Sequence, residues 1–337
     1  MLIFFFSAAH FVYGQTAAID KVQFFNDPSP LNATLVTDMG KLFGQKMKVG
    51  IVFPAKFICT LPDSTKVNEQ IQMEVRGHLR REYCLVPPLK LKFKNETSPI
   101  LSPLNSLKLV NPCKSLNNYN QYLLKEYLTY KIYNLITDKS FHVRLMNLNW
   151  QDSSKSRKNI SQSAFLMEDV KDLAKRNNCT ESKLEKLDME LTERRQMTIA
   201  ALFEYMIGNT DWSVAAGHNF KLIQPKENDR ARPFAVPYDF DYSGLVNAEY
   251  AVPDPWLNIE NVQQRVYRGF PRTMDELNAA LAIFKQQKES IYALINNFNL
   301  LTPTSKREMI SYLEEFYKEI NAPYLVKIKF IENARRE

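Results

Sequence analysis

The chain has 337 residues, of which 45% are hydrophobic and 24% are charged, and its formal net charge is +7. This length and balance exclude a small single module and a disordered chain, and they predict two or three subdomains around a large core. The basic residues are dispersed, with small clusters at 76–81 and 90–94. This pattern favours a mixed solvated surface over a nucleic-acid-binding stripe.

The N-terminus has the pattern of a signal peptide. An apolar segment of about a dozen residues ends in Val12-Tyr13-Gly14, which suits cleavage before Gln15. This segment is too short to span a bilayer, and no other stretch reaches transmembrane length. We therefore expect residues 1–14 to be removed, and the mature protein to be exported (periplasmic or secreted) without stable membrane insertion.

The first half of the mature chain has mainly strand patterns. Residues 48–58 have strand composition, whereas 70–76 and 89–94 alternate with a period of two, as half-buried strands do. Between the last two lies a basic segment, 76–84, predicted to be a strand–loop–strand connection. A short strand at 106–110 is followed by a helix from about 120 to 137, whose apolar residues recur at helical spacing.

The remaining elements become increasingly helical. Strands are predicted at 141–146 and 163–169, joined by a polar loop at 151–161. A helical pattern covers 184–206 and ends near Gly208, a residue suited to a helix C-cap. Three C-terminal helices follow, at 274–284, 287–298 and 306–320. The chain is therefore expected to be an α+β protein with a β-rich first part and a mostly helical second part.

Three short segments carry the strongest chemical signal. Ile207–Trp212 puts Asp211 in a loop, His218–Leu222 puts Asn219 at the start of a strand, and Val236–Asp241 puts Asp239 at the end of another. Kinase-type phosphoryl transfer needs this set of groups. One carboxylate orients the attacking hydroxyl, while an Asn and a second carboxylate hold magnesium against the nucleotide phosphates.

Together these segments resemble the spore-coat CotH kinases and, more loosely, the HipA and phosphoinositide-kinase branch of atypical kinases. The resemblance implies a two-lobed protein-kinase-like fold. The β-rich N-lobe with one long helix would span 15–168, and the mostly helical C-lobe would span 169–337. One departure concerns spacing, because seven residues separate Asp211 from Asn219, whereas the protein-kinase catalytic loop has about four. Either residues 213–217 form an inserted bulge, or the roles of these residues are assigned differently.

The resemblance assigns roles to the C-lobe residues. Asp211 would be the catalytic residue that orients the acceptor hydroxyl. Asn219 and Asp239 would bind Mg²⁺, with Asp241 either a second metal ligand or a cap for the next turn. Period-two geometry predicts that both carboxylates of the D-x-D pair lie on the same side, where they would suit a divalent cation. A solvated acidic turn is the alternative. His218 is expected to be a structural hydrogen-bond partner.

The resemblance also assigns nucleotide-binding roles in the N-lobe. Lys108, held by Glu126 of the following helix, would bind the α- and β-phosphates of ATP. The chain has nine glycines and no GxGxxG motif, so Arg76 and Arg80 would replace the backbone amides of a glycine-rich loop. A basic connection facing solvent is the alternative for these arginines.

The hinge that contacts adenine in kinase-like folds would lie at Met167 and Glu168. These residues end the last strand of the predicted N-lobe, where the chain passes into a helical segment. Backbone groups at this position would hold the base.

The four cysteines contain no CxxC pair, so a zinc site is not indicated. In an exported chain they allow one or two disulfides, with three pairings for two bridges. Cys84 with Cys113 is the first choice, because both flank the predicted nucleotide-binding lobe. Four buried free thiols are the alternative.

The resulting hypothesis is an exported, Mg²⁺-dependent kinase that transfers the γ-phosphoryl group of ATP to a protein or another hydroxyl acceptor. The alternative is a catalytically inactive pseudokinase that binds nucleotide or protein. The scarcity of ATP outside cells favours the pseudokinase, whereas the presence of every required residue type favours the kinase. A metal-dependent hydrolase is a weaker third reading, because the chain lacks the additional ligands of a two-metal site.

Overall fold

The computed structural model describes residues 18–48, 50–77, 79–184, 186–228 and 230–335. The predicted signal peptide, 1–14, lies outside these ranges. The described chain is an α+β protein, which confirms the expected class. None of its helices is both long enough and apolar enough to cross a bilayer.

Seven strands of the first half form a closed barrel in the order β1-β2-β3-β4-β5-β7-β6. The strands are β1 Leu31–Thr37, β2 Val52–Thr60, β3 Lys66–Val75, β4 Leu89–Lys92, β5 Ser106–Val110, β6 Val143–Asp152 and β7 Ile160–Met167. Neighbouring strands are antiparallel except β1 and β6, which run parallel and close the barrel. The sequence patterns did not predict β1, so they did not predict this closure.

Helices and a small second sheet make up most of the rest. The strands β8 Cys179–Glu181, β9 Phe220–Pro225 and β10 Phe234–Pro237 form an antiparallel sheet in the order β10-β9-β8. The helices are α1 Lys21–Asn26, α2 Met39–Gly44, α3 Leu79–Tyr83, α4 Asn117–Ile136, α5 Val170–Arg176, α6 Arg194–Ile207, α7 Met274–Asn296, α8 Pro303–Ile320 and α9 Pro323–Lys327. Single 3₁₀ turns lie at Ser102–Leu104, Met189–Leu191 and Pro255–Leu257, and a π-helical turn at Ile328–Glu332.

The apolar side chains form two cores. One fills the barrel, with Trp150 and Leu35 fully buried inside it. The other joins the outer face of β6 and β7 to α4 and to the C-terminal helices. Helix α4 is buried on several sides because it packs against β6 and β7 on one side and against α7 on another. This helix therefore connects the barrel to the helical part of the chain.

Three predicted elements differ from the structure. The basic connection after β3, predicted to be a loop between two strands, contains the short helix α3. The helical pattern at 184–206 becomes a regular helix only from Arg194, because Glu193 caps its N-terminus through the backbone N–H groups of the first turn. The two helices predicted at 274–298 are one helix, α7, which begins with a Thr273–Glu276 capping box.

Candidate functional site

The loop that carries Asp211 is built by the end of α6. Gly208 ends this helix with φ of +66°, a left-handed conformation that glycine adopts without strain, as the sequence predicted. Asn209 then accepts a hydrogen bond from the backbone N–H of Asp211 (3.1 Å). Arg268 donates to the carbonyl of Trp212 (2.6 Å) and also to that of Thr210. These contacts fix the backbone on both sides of Asp211.

Asp211, His218 and Asn219 form one hydrogen-bonded unit. Oδ1 of Asp211 lies 2.7 Å from Nε2 of His218, and its Oδ2 accepts from Nδ2 of Asn219 at 3.0 Å. The longer spacing between Asp211 and Asn219 is accommodated by a closed turn, because Ser213 and His218 exchange two backbone hydrogen bonds. His218 is therefore a hydrogen-bond partner of Asp211. The Asp211 side chain keeps 39% of its surface exposed.

Asn219 and Asp239 lie next to each other on the ladder of β9 and β10. The carbonyl of Asn219 accepts from the N–H of Tyr238 at 3.0 Å, one residue beyond the strand pair Phe220–Pro237. Both residues have left-handed backbone conformations, with φ of +55° at Asn219 and +68° at Asp239. Asn and Asp tolerate this region better than most residues. The strand ends thus turn the two side chains away from the regular pleat.

The D-x-D pair is not part of an extended strand. The period-two geometry on which the shared side of the two carboxylates was predicted is therefore wrong. Strand β10 ends at Pro237, and the N–H of Asp239 donates to the Tyr130 hydroxyl at 2.8 Å. Asp241 is 5% exposed and accepts from the Tyr250 hydroxyl at 3.0 Å. Burial and the neighbouring Asp239 together raise the pKa of Asp241 to about 6, against the opposing effect of Arg80.

Arg76 and Arg80 lie on the barrel side of this group. Nε of Arg76 donates to the carbonyl of Leu89 at 3.3 Å, and Nη2 of Arg80 donates to the carbonyl of Asn111 at 3.1 Å. Nη1 of Arg80 lies 3.5 Å from Oδ2 of Asp241. Burial alone would lower the pKa of Arg80, but Asp241 and the other acidic groups nearby together outweigh burial and raise it. Arg80 therefore faces Asp241, although 31% of its side chain stays exposed, and Asp239 acts electrostatically on Arg76.

Lys108 lies in the middle of β5 and reaches the same region. Its Nζ lies 4.2 Å from the centroid of the Tyr238 ring, in cation–π geometry. Burial and the neighbouring Arg76 together lower the pKa of Lys108 to about 8, while Asp239 opposes both. Lys108, Arg76 and Asp239 are therefore close enough to influence one another's charge.

The expected ion pair between Lys108 and Glu126 is absent from the described structure. Glu126 is 2% exposed, and its Oε1 has no hydrogen-bond partner among the described residues. Burial raises the pKa of Glu126 well above its ordinary value, and Asp241 and Asp239 add to this effect. Arg80 and Arg76 oppose this rise, so the Glu126 carboxyl is a buried group next to both acidic and basic side chains.

Met167 and Glu168 lie at the end of β7, with Met167 opposite Lys108 in the strand register. Met167 is 2% exposed, and its sulfur lies 3.8 Å from the Tyr130 hydroxyl. The Glu168 carboxylate accepts from the His142 N–H at 2.7 Å and pairs with Arg176 at 2.8 Å. The Glu168 N–H donates to the His142 carbonyl. Glu168 thus uses its side chain and its N–H in structural contacts.

The donor set suits a hard divalent cation in part. Nδ2 of Asn219 makes both of that amide's hydrogen bonds, which leaves its Oδ1 without a partner among the described residues. The Asp239 carboxylate likewise has no hydrogen bond or ion pair there. No group of three or more His, Cys, Asp or Glu side chains is arranged as a metal site in the described ranges. One carboxylate and an amide oxygen fit Mg²⁺ that also binds phosphate oxygens.

Sequence reasoning did not identify four residues that shape this site. Tyr130 holds the backbone of Asp239, Tyr250 holds Asp241, Tyr238 supports Lys108, and Arg268 fixes the Asp211 loop. The tyrosines of α4 lie near Glu126 in the helical pattern, which was the one available signal for Tyr130. Comparisons with protein-family models, with curated proteins and with solved structures found no match for the chain.

The cysteines agree with the first-choice pairing. Cys84 and Cys113 form a disulfide, with Cα atoms 4.3 Å apart, and Cys59 and Cys179 are buried free thiols. The bridge ties the segment after α3 to the segment after β5. The backbone N–H of Leu85 also donates to the carbonyl of Cys113 at 2.9 Å. The disulfide therefore joins the chain segments that carry Arg80 and Lys108.

Proposed function

We propose that this protein is an exported CotH-like kinase with a two-lobed, protein-kinase-like arrangement. It would transfer the γ-phosphoryl group of ATP to a hydroxyl of a protein or small acceptor, with Mg²⁺. The observation that carries the proposal is the convergence of distant chain segments. Lys108, Arg76 and Arg80 come from the barrel and face Asp239 and Asp241, which follow β10.

The three basic side chains have the chemistry of a triphosphate site. The planar guanidinium groups of Arg76 and Arg80 can donate two hydrogen bonds to one phosphate group, and Lys108 supplies a compact charge. Burial lowers the pKa of both Arg76 and Lys108, a neighbouring arginine lowers each further, and Asp239 opposes these effects on both. Bound phosphate would supply the negative charge that this group favours.

Asn219 and Asp239 are the residues that would hold Mg²⁺. Their free oxygens lie at neighbouring ends of β9 and β10, and the backbone bond from Tyr238 to Asn219 fixes this relation. Asp241 is less suited to bind metal directly, since Arg80 and Tyr250 already engage its carboxylate. When bound, the ion would neutralise charge on the transferred phosphoryl group.

Asp211 is the residue that would orient the acceptor hydroxyl. It is partly exposed, and the bonds from His218 and Asn219 hold its carboxylate in one orientation. Asn219 also links it to the proposed metal position. Positioning and proton acceptance of this kind typically contribute about 10²–10⁴-fold to a rate.

In the hinge role proposed for Met167 and Glu168, adenine would be bound by their backbone carbonyls or by residues that follow them in the chain. The Glu168 N–H cannot bind the base, because it already donates to the His142 carbonyl. Lys108 would bind phosphates with Tyr238 rather than Glu126 beside it.

The alternative function is a pseudokinase that binds nucleotide or protein without turnover. The specific observation that favours it is that the buried Glu126 makes no ion pair with Lys108 in the described part of the chain, since protein kinases use this pair for catalysis. The expected compartment, in which ATP is scarce, also favours this reading.

The two functions differ in phosphoryl transfer. The assay is transfer of radiolabel from γ-labelled ATP with Mg²⁺, to the protein itself or to exported proteins of the source cell. We expect Asp211→Asn to bind ATP within a few-fold of wild type and to lose about 10²-fold or more in transfer. Asn is a suitable replacement because it can still bond to His218 and Asn219.

A matched control is Asp254→Asn, which changes a carboxylate of the loop near Asp211 and should retain transfer. If the wild type binds Mg-ATP but transfers no more than Asp211→Asn, the pseudokinase reading replaces the kinase. If the wild type binds no nucleotide, both readings fail.

A further inference from the structure

The outer face of the barrel is divided into a covered half and an open half. On β6, Val143 and Leu145 are buried beneath α4, whereas Asn147 and Asn149 of the same face are exposed or partly exposed. On β7, Phe165 is buried in the helical core, whereas Ser161 on the same face is exposed. The side chains become polar where the helix ends, so the open half is built for contact with water or with a polar ligand.

The open half continues across the neighbouring strands. Asn149 is opposite Ser161 of β7 and Thr34 of β1, and Thr34 is opposite Ile58 of β2, which is opposite Asn68 of β3. We name the outward-facing residues of this surface the amide face, defined by Asn32, Thr34, Asn68, Asn147, Asn149 and Ser161. It crosses five strands, or about 19 Å at the usual spacing between strands.

Two adjoining grooves run over the amide face and share Asn147 and Asn149. Their volumes are about 520 Å³ and about 470 Å³. Among the residues that line them, only Lys114 in one groove and Lys66 in the other carry a charge, and none is acidic. In a chain with 24% charged residues, this surface is suited to an uncharged ligand.

The polar groups are paired across strands in fixed orientations. Nδ2 of Asn147 donates to Oδ1 of Asn32 at 2.8 Å, which leaves the Asn147 carbonyl as an acceptor and the Asn32 amide as a donor. The Ser161 hydroxyl donates to Oδ1 of Asn149 at 3.1 Å, which leaves the Asn149 amide as a donor. Each pair thus offers a neighbouring donor and acceptor, the combination that adjacent hydroxyl groups can satisfy.

We propose that the amide face binds a neutral oligosaccharide, independently of the kinase site. Sugar hydroxyls both donate and accept, and they would bond to the amide pairs, while C–H faces of the rings would pack on Ile58 and on the exposed Leu116 at the groove edge. An extended peptide fits less well. The strands β6, β1 and β2 are paired on both sides in the closed barrel, so they offer no free edge for strand addition.

The test is a depletion assay with insoluble or immobilised neutral polysaccharides: cellulose, starch, chitin, xylan, yeast mannan and β-glucan. About 0.2 M salt screens non-specific attraction of the basic protein. We expect the full-length protein to bind at least one of them. The double variant Asn147→Ala/Asn149→Ala should bind roughly tenfold more weakly, since two hydrogen-bonding side chains are removed. Both positions face outward, so its melting temperature should match that of wild type.

The matched control is Asn278→Ala/Gln286→Ala, which removes two exposed amides of α7 and should bind as wild type does. Binding to none of the polysaccharides overturns the proposal, as does equal binding by wild type and the Asn147/Asn149 variant. Analytical sedimentation of the same samples tests the competing occupant, which is a second copy of this chain. If the wild type is a dimer and the double variant is a monomer, the amide face is an interface between copies, and this result also overturns the proposal. None of these outcomes tests nucleotide binding, so the failure of this proposal can be distinguished from the failure of the proposed kinase function.

Discussion

Reduction of the Cys84–Cys113 disulfide should destabilise the protein by an amount set by the loop it closes. The bridge joins cysteines 29 residues apart. In the chain-entropy treatment, a loop of this length restricts the unfolded chain enough to stabilise the native state by about 3.5 kcal/mol at 25 °C. Reduction is preferable to substitution, because Cys84 is 1% exposed and a serine there would add the cost of a buried hydroxyl.

The assay is urea unfolding followed by tryptophan fluorescence, with and without a strong thiol reductant. The extrapolated free energy of unfolding of the wild type should fall by about 3.5 kcal/mol on reduction. The control is the double variant Cys84→Ser/Cys113→Ser, whose stability should not respond to the reductant. Thiol titration of the unfolded protein should detect two free thiols before reduction, from Cys59 and Cys179, and four after it.

Four thiols in the unreduced protein would show that the bridge does not form. An unchanged free energy of unfolding after confirmed reduction would refute the entropic reasoning. Either result would also remove the covalent link between the segments that carry Arg80 and Lys108.

Three further predictions concern single residues. Burial and the neighbouring Asp239 raise the pKa of Asp241 to about 6 from an ordinary 3.8, so the folded state holds this proton more tightly than the unfolded state does, and the free energy of unfolding should fall as pH rises from about 4 to 6. Urea titrations should show a smaller fall for Asp241→Asn, and identical pH profiles of the variant and the wild type would contradict this. Gly208→Ala should lower the free energy of unfolding by about 2–4 kcal/mol in the same assay, because φ is +66° and an added Cβ would lie 1.9 Å from the Tyr312 hydroxyl. A decrease of less than about 1 kcal/mol would be inconsistent with that contact. Burial raises the pKa of Glu204 well above normal, so Glu204→Gln, which resembles the neutral acid, should change stability by no more than about 1 kcal/mol, whereas Glu204→Lys, which buries a charge, should prevent stable folding.

The sequence predicted features that depend on local rules. The 3.6-residue pattern identified α4 to within three residues of its N-terminus. Gly208 was identified as a helix C-cap because few other residues adopt its conformation at low cost. The Cys84–Cys113 pairing also agreed with the first choice. For the helix and its cap, neighbouring residues contain most of the information, whereas the cysteine pairing joins residues 29 apart.

Features that depend on long-range pairing were missed or misread. Strand β1 pairs in parallel with β6, more than a hundred residues away, and no local pattern specifies that partner. The D-x-D pair follows a left-handed turn at Asp239, stabilised by Tyr130 from α4. A period-two argument could not include this contact.

The candidate site was predicted by residue type but not by contact. Asp211 and Asn219 are joined as the motif suggested, through a turn whose closure between Ser213 and His218 was not anticipated. Lys108 contacts Tyr238 instead of Glu126, because the helix residue lies in a dry pocket beside Asp239 and Asp241. The roles of these residues in binding ATP and Mg²⁺ stay predictions.

The central claim is that Asp239 binds Mg²⁺ against a nucleotide, and thermal unfolding with ATP tests it most directly. Ligand that binds only the native state raises the melting temperature. The wild type should be stabilised by ATP with Mg²⁺ and clearly less by ATP without it. Asp239→Asn, which tolerates the left-handed backbone at this position, should lose the Mg²⁺-dependent part, whereas Asp254→Asn should keep it. An equal melting temperature of the wild type with and without millimolar Mg-ATP would contradict the account.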